Sequence, residues 1–248
     1  GSVTSDLELF GIDPKQNSAM AEESADMILK IWSQDPPYHL QGKYWQIDLE
    51  KYVDEETLIG YLHKPLQKPH PPIFAPAMNV NSTTMKLAGK NGWLPMSANV
   101  IAGNVVADNW LTYEQAALEA GRTPDRADWR VCRSIFIGDT CKDAEETVRK
   151  NSLGLSFEYI GGLFDKGLGR KIMKRDPETP DSETGMDYLM QEQIIHGDVD
   201  EVIRRLNALI GEIGDFGTLI LMGYDWDDKQ SWVKSMKRFV DDVIPALG

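Results

Sequence analysis

The spacing of hydrophobic residues predicts alternating helices and strands along most of the chain. Apolar residues at helical spacing predict an amphipathic helix over residues 17–32, and a small hairpin follows at 38–47. Short apolar runs predict strands at 73–77, 93–97, 130–138 and 218–222, and helical patterns predict helices at 82–91, 104–120, 142–153, 199–213 and 229–247. This alternation is typical of an α/β fold, in which helices cover a parallel sheet.

Two long segments interrupt the alternation. Residues 48–68 have mixed character and predict an irregular excursion. Residues 154–185 contain six glycines and charges of both signs, which predicts a long surface segment outside the core, before a short helix at 186–195. Four strands fall short of the eight that a (β/α)8 barrel needs, although 248 residues would fit a small barrel.

Composition narrows the class of protein. Hydrophobic residues make up 42% of the chain and the net charge is −13, which fits one globular domain over residues 1–248 and disfavours nucleic acid or an anionic membrane as partner. There is no run of about 20 apolar residues that could span a membrane.

The cysteines and histidines predict neither a disulfide framework nor a metal site. The two cysteines are Cys132, which is expected to be buried in a strand, and Cys141. No histidine has a partner at metal-ligand spacing. A reducing cytoplasm is therefore the expected location.

A polar loop before the helix at 82–91 is the strongest candidate for binding chemistry. A loop that leads into a helix N-terminus presents free backbone N–H groups and the positive end of the helix dipole, which together favour an anion. The candidate binding residues are Ala77, Met78, Asn79, Val80, Asn81, Ser82 and Thr83. The alternative is that Asn81 or Ser82 only caps the helix.

Several motifs resemble segments of one family in their order and spacing. PLQKPHPPI at 65–73 resembles the entry into the fifth barrel strand of the luciferase-like flavin-dependent monooxygenases, and LAGKNGW at 87–93 resembles the next helix-to-strand step. Further similarities are ADMILKIW at 25–32, GKYW at 42–45, GDVDEV at 197–202, FGTL at 216–219 and DWDD at 225–228. The last three are most similar to the branch of limonene monooxygenase.

The resemblance implies a TIM (β/α)8 barrel of which this chain holds about the later four β/α units. It implies that reduced FMN, supplied by a separate flavin reductase, reacts with O2 to oxygenate a small apolar organic substrate, and that the loop at 77–83 holds the flavin phosphate. Active sites of such barrels lie at the carboxyl ends of the strands. The residues expected there as a substrate pocket are Met96, Ser97, Asn99, Tyr224 and Trp226. No catalytic residue can be assigned, and Tyr224 and Trp226 could instead pack against the closing helix.

Three alternatives remain open. Residues 154–195 match a lid that closes over the reduced flavin, but they could equally form a solvated loop. The chain could be an inactive C-terminal fragment that folds or functions only by association, which also predicts a homo-oligomer because an open half-barrel exposes its edges. A deazaflavin-dependent oxidoreductase of the same superfamily, which transfers hydride, is the third.

Overall fold

A computed structural model describes residues 3–167 and 169–247, and the chain divides into two compact units between Ile73 and Phe74. The first unit contains helices α1 (Thr4–Leu9) and α2 (Asn17–Ser33) and an antiparallel hairpin of β1 (Tyr38–Gln41) and β2 (Gln46–Leu49). The Glu23 carboxylate accepts backbone N–H groups of the hairpin loop, including that of Tyr44 at 2.9 Å. The predicted first helix and hairpin are confirmed.

A parallel sheet of five strands organises the second unit. The strands are β3 (Phe74–Ala77), β4 (Leu94–Ser97), β5 (Arg130–Ile137), β6 (Ile194–Gly197) and β7 (Thr218–Leu221). β4 joins β3 to β5, and β5 pairs with β7 over residues 130–133 and with β6 over residues 134–137. The four predicted strands and the α/β fold are confirmed. Within the described residues the sheet does not close into a barrel.

Seven helices of the second unit follow or link these strands within the described residues. They are α3 (Thr83–Asn91), α4 (Gly103–Glu119), α5 (Cys141–Val148), α6 (Ser152–Asp165), α7 (Met186–Glu192), α8 (Val199–Ile213) and α9 (Lys229–Arg238). Ser82 caps the start of α3, and Gly92 ends it with a φ of 72°. A Cβ on Gly89 would lie 2.5 Å from the carbonyl oxygen of Tyr113, so only glycine permits this approach of α3 to α4.

The structure corrects three predictions. The helix predicted at 142–153 is wrong beyond Val148, because Asn151 caps a new helix through its side chain. The prediction of a surface segment outside the core at 154–185 is wrong at its start and in its middle, since Phe157 of α6 and Met173 are fully buried in the core. The helix predicted at 186–195 ends at Glu192, and its last residues begin strand β6, which the short apolar pair Ile194 and Ile195 did not separate from a helical pattern.

The two faces of the sheet differ in burial. Side chains alternate along each strand, so Ala75, Ala77 and Val131 lie on one face, where they are buried, and Phe74 lies on the other. Phe74 is 43% exposed and lies beneath the Arg130 guanidinium, 5.3 Å from its ring centre. Strand β7 is only partly buried. Cys132 is buried as predicted, and no described helix is long and apolar enough to cross a membrane.

Candidate functional site

Two buried polar side chains and one half-buried tyrosine meet near the carboxyl end of the sheet. Asn99 follows β4, Ser134 lies within β5, and Tyr224 follows β7. The Asn99 amide donates to Ser134 Oγ at 2.7 Å and to the Tyr224 hydroxyl at 3.2 Å, and Ser134 Oγ donates to Asn99 Oδ1 at 3.0 Å. Ser134 and Tyr224 also share a short hydrogen bond. We call these three residues the polar cluster.

The polar cluster is neutral near pH 7. Burial raises the pKa of Tyr224, and hydrogen bonds with Ser134 and Asn99 offset only part of that rise. A protonated phenol, a hydroxyl and an amide can orient a polar group of a bound molecule through hydrogen bonds, and none of them brings a charge. The cluster is therefore suited to positioning and carries no group that titrates in the neutral range.

Aromatic packing holds Tyr224 in place. Its ring stacks on Trp232 of α9 with centres 6.0 Å apart and planes inclined by 25°. Asp227 fixes the same loop, because its carboxylate accepts the backbone N–H of Ser152 at 2.7 Å and the indole N–H of Trp232 at 3.0 Å. Packing against the closing helix, the alternative considered for Tyr224, is thus part of its role.

The other predicted pocket residues are not all brought to the polar cluster. The Ser97 side chain is fully buried and accepts the indole N–H of Trp129 at 3.1 Å. Met96, paired with Arg130, lies on the face opposite to Ser97, and this opposite face also carries Ser134 of the polar cluster. Trp226 is 52% exposed and, together with Tyr224, lines a small cavity of about 90 Å³ beside α9.

The predicted anion loop at 77–83 is held from one side by α4. Asn81 has a φ of 51°, and its N–H donates to Asp108 Oδ2 at 2.6 Å. The Asn109 side chain donates to the carbonyl oxygen of Asn79 at 3.0 Å. Ser82 accepts the N–H of Met85 at 3.4 Å, so the capping role considered as an alternative is present. The loop therefore has a defined conformation.

The loop retains groups that suit a phosphate. Among the described residues, the N–H groups of Thr83 and Thr84 have no hydrogen-bond acceptor, as expected for the first turn of a helix. Lys86 and Lys90 line a groove that also includes Asn81. The Asp108 carboxylate opposes an anion, so the loop combines favourable N–H groups with one unfavourable charge.

Sequence reasoning missed three residues of this region. Ser134 lies inside the apolar run of β5, where a serine among β-branched residues was the available signal. Asp108 and Asn109 contact the loop from a helix that begins about 20 residues after it. Asn109 is fully buried on an otherwise apolar helix face, and its side-chain amide is partnered there by the Asn79 carbonyl oxygen of the loop.

Comparison with known proteins places the chain in a family. The family model described as luciferase-like monooxygenase matches residues 1–215, and the chain belongs to this family. The predicted family is thereby confirmed.

Among individual proteins, the chain is 28% identical over 246 residues to 3,6-diketocamphane 1,6-monooxygenase of Pseudomonas putida, covering 96% of this chain and 64% of that protein. It is 24% identical to limonene 1,2-monooxygenase of Rhodococcus erythropolis, covering 99% of this chain and 58% of that protein.

A solved structure gives the same result. The oxygenating constituent of 3,6-diketocamphane monooxygenase from Pseudomonas putida, a type II Baeyer-Villiger monooxygenase in complex with FMN, matches with a TM-score of 0.81 and 27% identity. The match covers 100% of this chain and 69% of that one. This chain spans less than two thirds of the length of the two curated relatives named above.

Proposed function

We propose that this chain is part of a flavin-dependent monooxygenase that uses reduced FMN and O2 to oxygenate a small apolar organic substrate. The main support for this proposal is the structural match over the whole chain to an oxygenase in complex with FMN, at a TM-score of 0.81. Both relatives are named for small apolar compounds, diketocamphane and limonene. The description of the matched structure as an oxygenating constituent supports a separate flavin reductase as partner.

The loop at 77–83 is our candidate for the phosphate of FMN. The free N–H groups of Thr83 and Thr84 would bind phosphate oxygens, and Lys86 would contribute positive charge. Reduced FMN, when bound, supplies the activation of O2. The protein would bind and orient the cofactor and exclude water.

The polar cluster is our candidate for orienting the flavin or the substrate. Tyr224 and Asn99 would donate hydrogen bonds to a polar group, while Trp226 and Met96 would form an apolar wall.

Residues 154–195 would act as a lid, although α6 is anchored in the core and Leu168 lies outside the described residues. We further propose that both units belong to one TIM-barrel domain, of which this chain holds the later part, and that the protein works in a reducing cytoplasm.

The partly exposed sheet face favours a second candidate, a fragment that functions only by association. Phe74 is 43% exposed, and Leu94 and Met96 on the same face are half-buried. An apolar surface of this kind is typical of a face that is covered by another chain or segment. Homo-oligomerisation would be one way to cover it.

Quenching of FMN fluorescence tests the first proposal. Thr83→Pro removes one N–H at the first helical position, where proline is tolerated and where the preceding residue has a compatible ψ of 125°. We expect FMN binding to weaken about fivefold to tenfold, the loss of one charge-assisted hydrogen bond. The matched control is Val199→Pro, at the first position of α8.

The outcomes separate the candidates. Failure of FMN to bind either this chain or a longer chain of the length of its relatives would overturn the proposal. Tighter binding of a deazaflavin than of FMN would favour hydride transfer. Light scattering that gives a stable, dispersed monomer would argue against the second candidate.

A further inference from the structure

A second cavity lies outside the candidate site, on the helix-covered face of the sheet. Its volume is about 280 Å³, and its walls come from β5, β6, α8 and the chain between them. The lining includes Arg133, Arg175, Arg205 and Gln193, together with the carboxylates of Glu192 and Glu212. Neither the loop at 77–83 nor the polar cluster contributes to it, so the proposed monooxygenase function does not explain it.

Arg133 places a buried positive charge on this cavity. Its side chain points away from the polar cluster, because it neighbours Ser134 along β5, and it is 3% exposed. The guanidinium donates to the carbonyl oxygen of Cys132 at 2.9 Å, and no carboxylate lies within 4.0 Å among the described residues. Burial lowers the pKa of Arg133 to about 10, so it remains charged at neutral pH.

Arg205 adds a second positive charge, which carboxylates such as Glu201 attract only from beyond ion-pair distance. It donates to the carbonyl oxygen of Met190 at 2.9 Å and to His196 Nδ1 at 3.0 Å, and no ion pair is found for it among the described residues. Arg175 differs, since it pairs with Glu192 at 2.7 Å and Glu212 at 2.5 Å. The cavity therefore keeps two arginines that form no ion pair among the described residues, while the two glutamates that line it pair with Arg175.

Gln193 presents an unpartnered acceptor in the same place. Its side chain is 2% exposed, and its amide nitrogen donates to the carbonyl oxygen of Met173. Its Oε1 atom has no hydrogen-bond partner among the described residues. A buried acceptor without a donor is costly, as is a buried charge without a counter-charge, so both call for a bound molecule.

We propose that this cavity binds a small oxyanion that also carries a hydroxyl group. The negative charge would pair with Arg133 and Arg205, and the hydroxyl would donate to Gln193 Oε1. Hydrogen phosphate and small hydroxycarboxylates share this chemistry, and the volume accommodates either. The pairing of Arg175 with two glutamates fixes the outer wall.

Thermal unfolding of the full 248-residue chain with added salts tests the site. Near neutral pH, inorganic phosphate has a P–O–H group and sulfate has none. Comparing the two anions therefore distinguishes the effect of the hydroxyl group from the effect of negative charge. We expect phosphate and malate to raise Tm with saturation, sulfate to raise it less, and chloride at equal ionic strength to have no effect. Titrations with malate and with phosphate show which of the two ligand classes, a hydroxycarboxylate or hydrogen phosphate, binds more tightly.

Two variants locate the effect. Arg133→Met keeps a long apolar side chain and should raise the apparent dissociation constant for phosphate about tenfold or more. Lys237→Gln, which removes one charge from the exposed side of α9, should leave this dissociation constant unchanged. Gln193→Met keeps both arginines and should abolish the preference for phosphate over sulfate, and it provides the test if Arg133→Met does not fold.

Equal responses to phosphate, sulfate and chloride would overturn the proposal, because the cavity would then hold only water. The same is true if Gln193→Met retains the phosphate preference, or if Lys237→Gln weakens binding as much as Arg133→Met. FMN quenching by these variants should match that of the parent chain. Failure of this site therefore leaves the monooxygenase proposal standing, and the reverse also holds.

Discussion

The anion loop and the polar cluster lie in the same sheet unit, yet they are held in different ways. The loop at 77–83 is largely exposed, and a charged residue of another helix, Asp108, accepts its Asn81 N–H at 2.6 Å. The polar cluster is buried at Asn99 and Ser134 and half-buried at Tyr224, and it consists of neutral groups that satisfy one another, such as Asn99 and Ser134 at 2.7 Å. Changes in the exposed loop should therefore act mainly on ligand binding, whereas changes in the cluster should also affect the fold.

The largest expected effect comes from breaking the polar cluster at Ser134. Ser134→Val removes the donor to Asn99 Oδ1 and the acceptor of its amide from a fully buried position. We expect the free energy of unfolding to fall by about 1–3 kcal/mol, measured by urea denaturation.

Ser97→Val is the matched control, since it removes the acceptor of the Trp129 indole from an equally buried serine on the other sheet face. Both variants should lose stability, but only Ser134→Val should alter binding of FMN or substrate. Similar binding by the two variants would show that the polar cluster is purely structural.

Tyr224→Phe is expected to have a smaller effect. The ring keeps its stacking on Trp232, and Asn99 and Ser134 keep their mutual hydrogen bonds, so only the hydroxyl is lost. Stability should fall by about 1 kcal/mol. A loss comparable to that of Ser134→Val would indicate that the hydroxyl, and not the Asn99–Ser134 pair, organises the cluster.

The sequence predicted this fold better than its site because helices and strands depend on local patterns. The apolar run of β5 and the cap and glycine that bound α3 are all encoded within a few residues. Strand β6 was not predicted because four residues carry too little periodicity. Helix α6 was not predicted over its full length because its glycines, such as Gly154, suggested a loop. A Cβ on Gly154 would lie 2.1 Å from the Val148 carbonyl oxygen, so that glycine serves packing.

The site depends on contacts between residues distant in sequence, which no local pattern contains. The loop at 77–83 could be found because a polar strand-to-helix turn is a local signal. Asp108 and Ser134 could not, because their importance arises from contacts with Asn81 and with Asn99 and Tyr224. Ser97 resembled a pocket residue by position but faces the helices.

Removing the Asp108 charge tests whether the loop binds phosphate. Asp108→Asn keeps an acceptor for the Asn81 N–H but removes a negative charge, so the dissociation constant for FMN should fall about twofold to fivefold. Glu114→Gln, also on half-buried α4, is the control and should change it less. Unchanged or weaker FMN binding by Asp108→Asn would count against a phosphate at this loop.

The smallest effect is expected at Asp139, which follows β5 and, unlike Asp108, is paired with cations. Asp139 accepts hydrogen bonds from Lys234 at 2.6 Å and from Arg238 at 2.5 Å, and these cations lower its pKa below the ordinary value of 3.8. The pKa of Asp139 is lower in the folded state than in the unfolded state. Its contribution to stability is therefore present above pH 3.8 and is lost as the pH falls through the folded-state pKa.

Asp139→Asn should therefore reduce stability slightly at neutral pH and show a shallower decline in acid than the parent chain. Urea denaturation at stepwise lower pH measures this, with Asp241→Asn as a control that has no ion pair within 4.0 Å among the described residues. The effect should be small and weaken with added salt, because exposed ion pairs are solvated and screened. Identical acid profiles for Asp139→Asn and the parent would mean that the ion pairs of Asp139 add no measurable stability. Asp139 would then differ from Asp108 only because Asp108 contacts the loop.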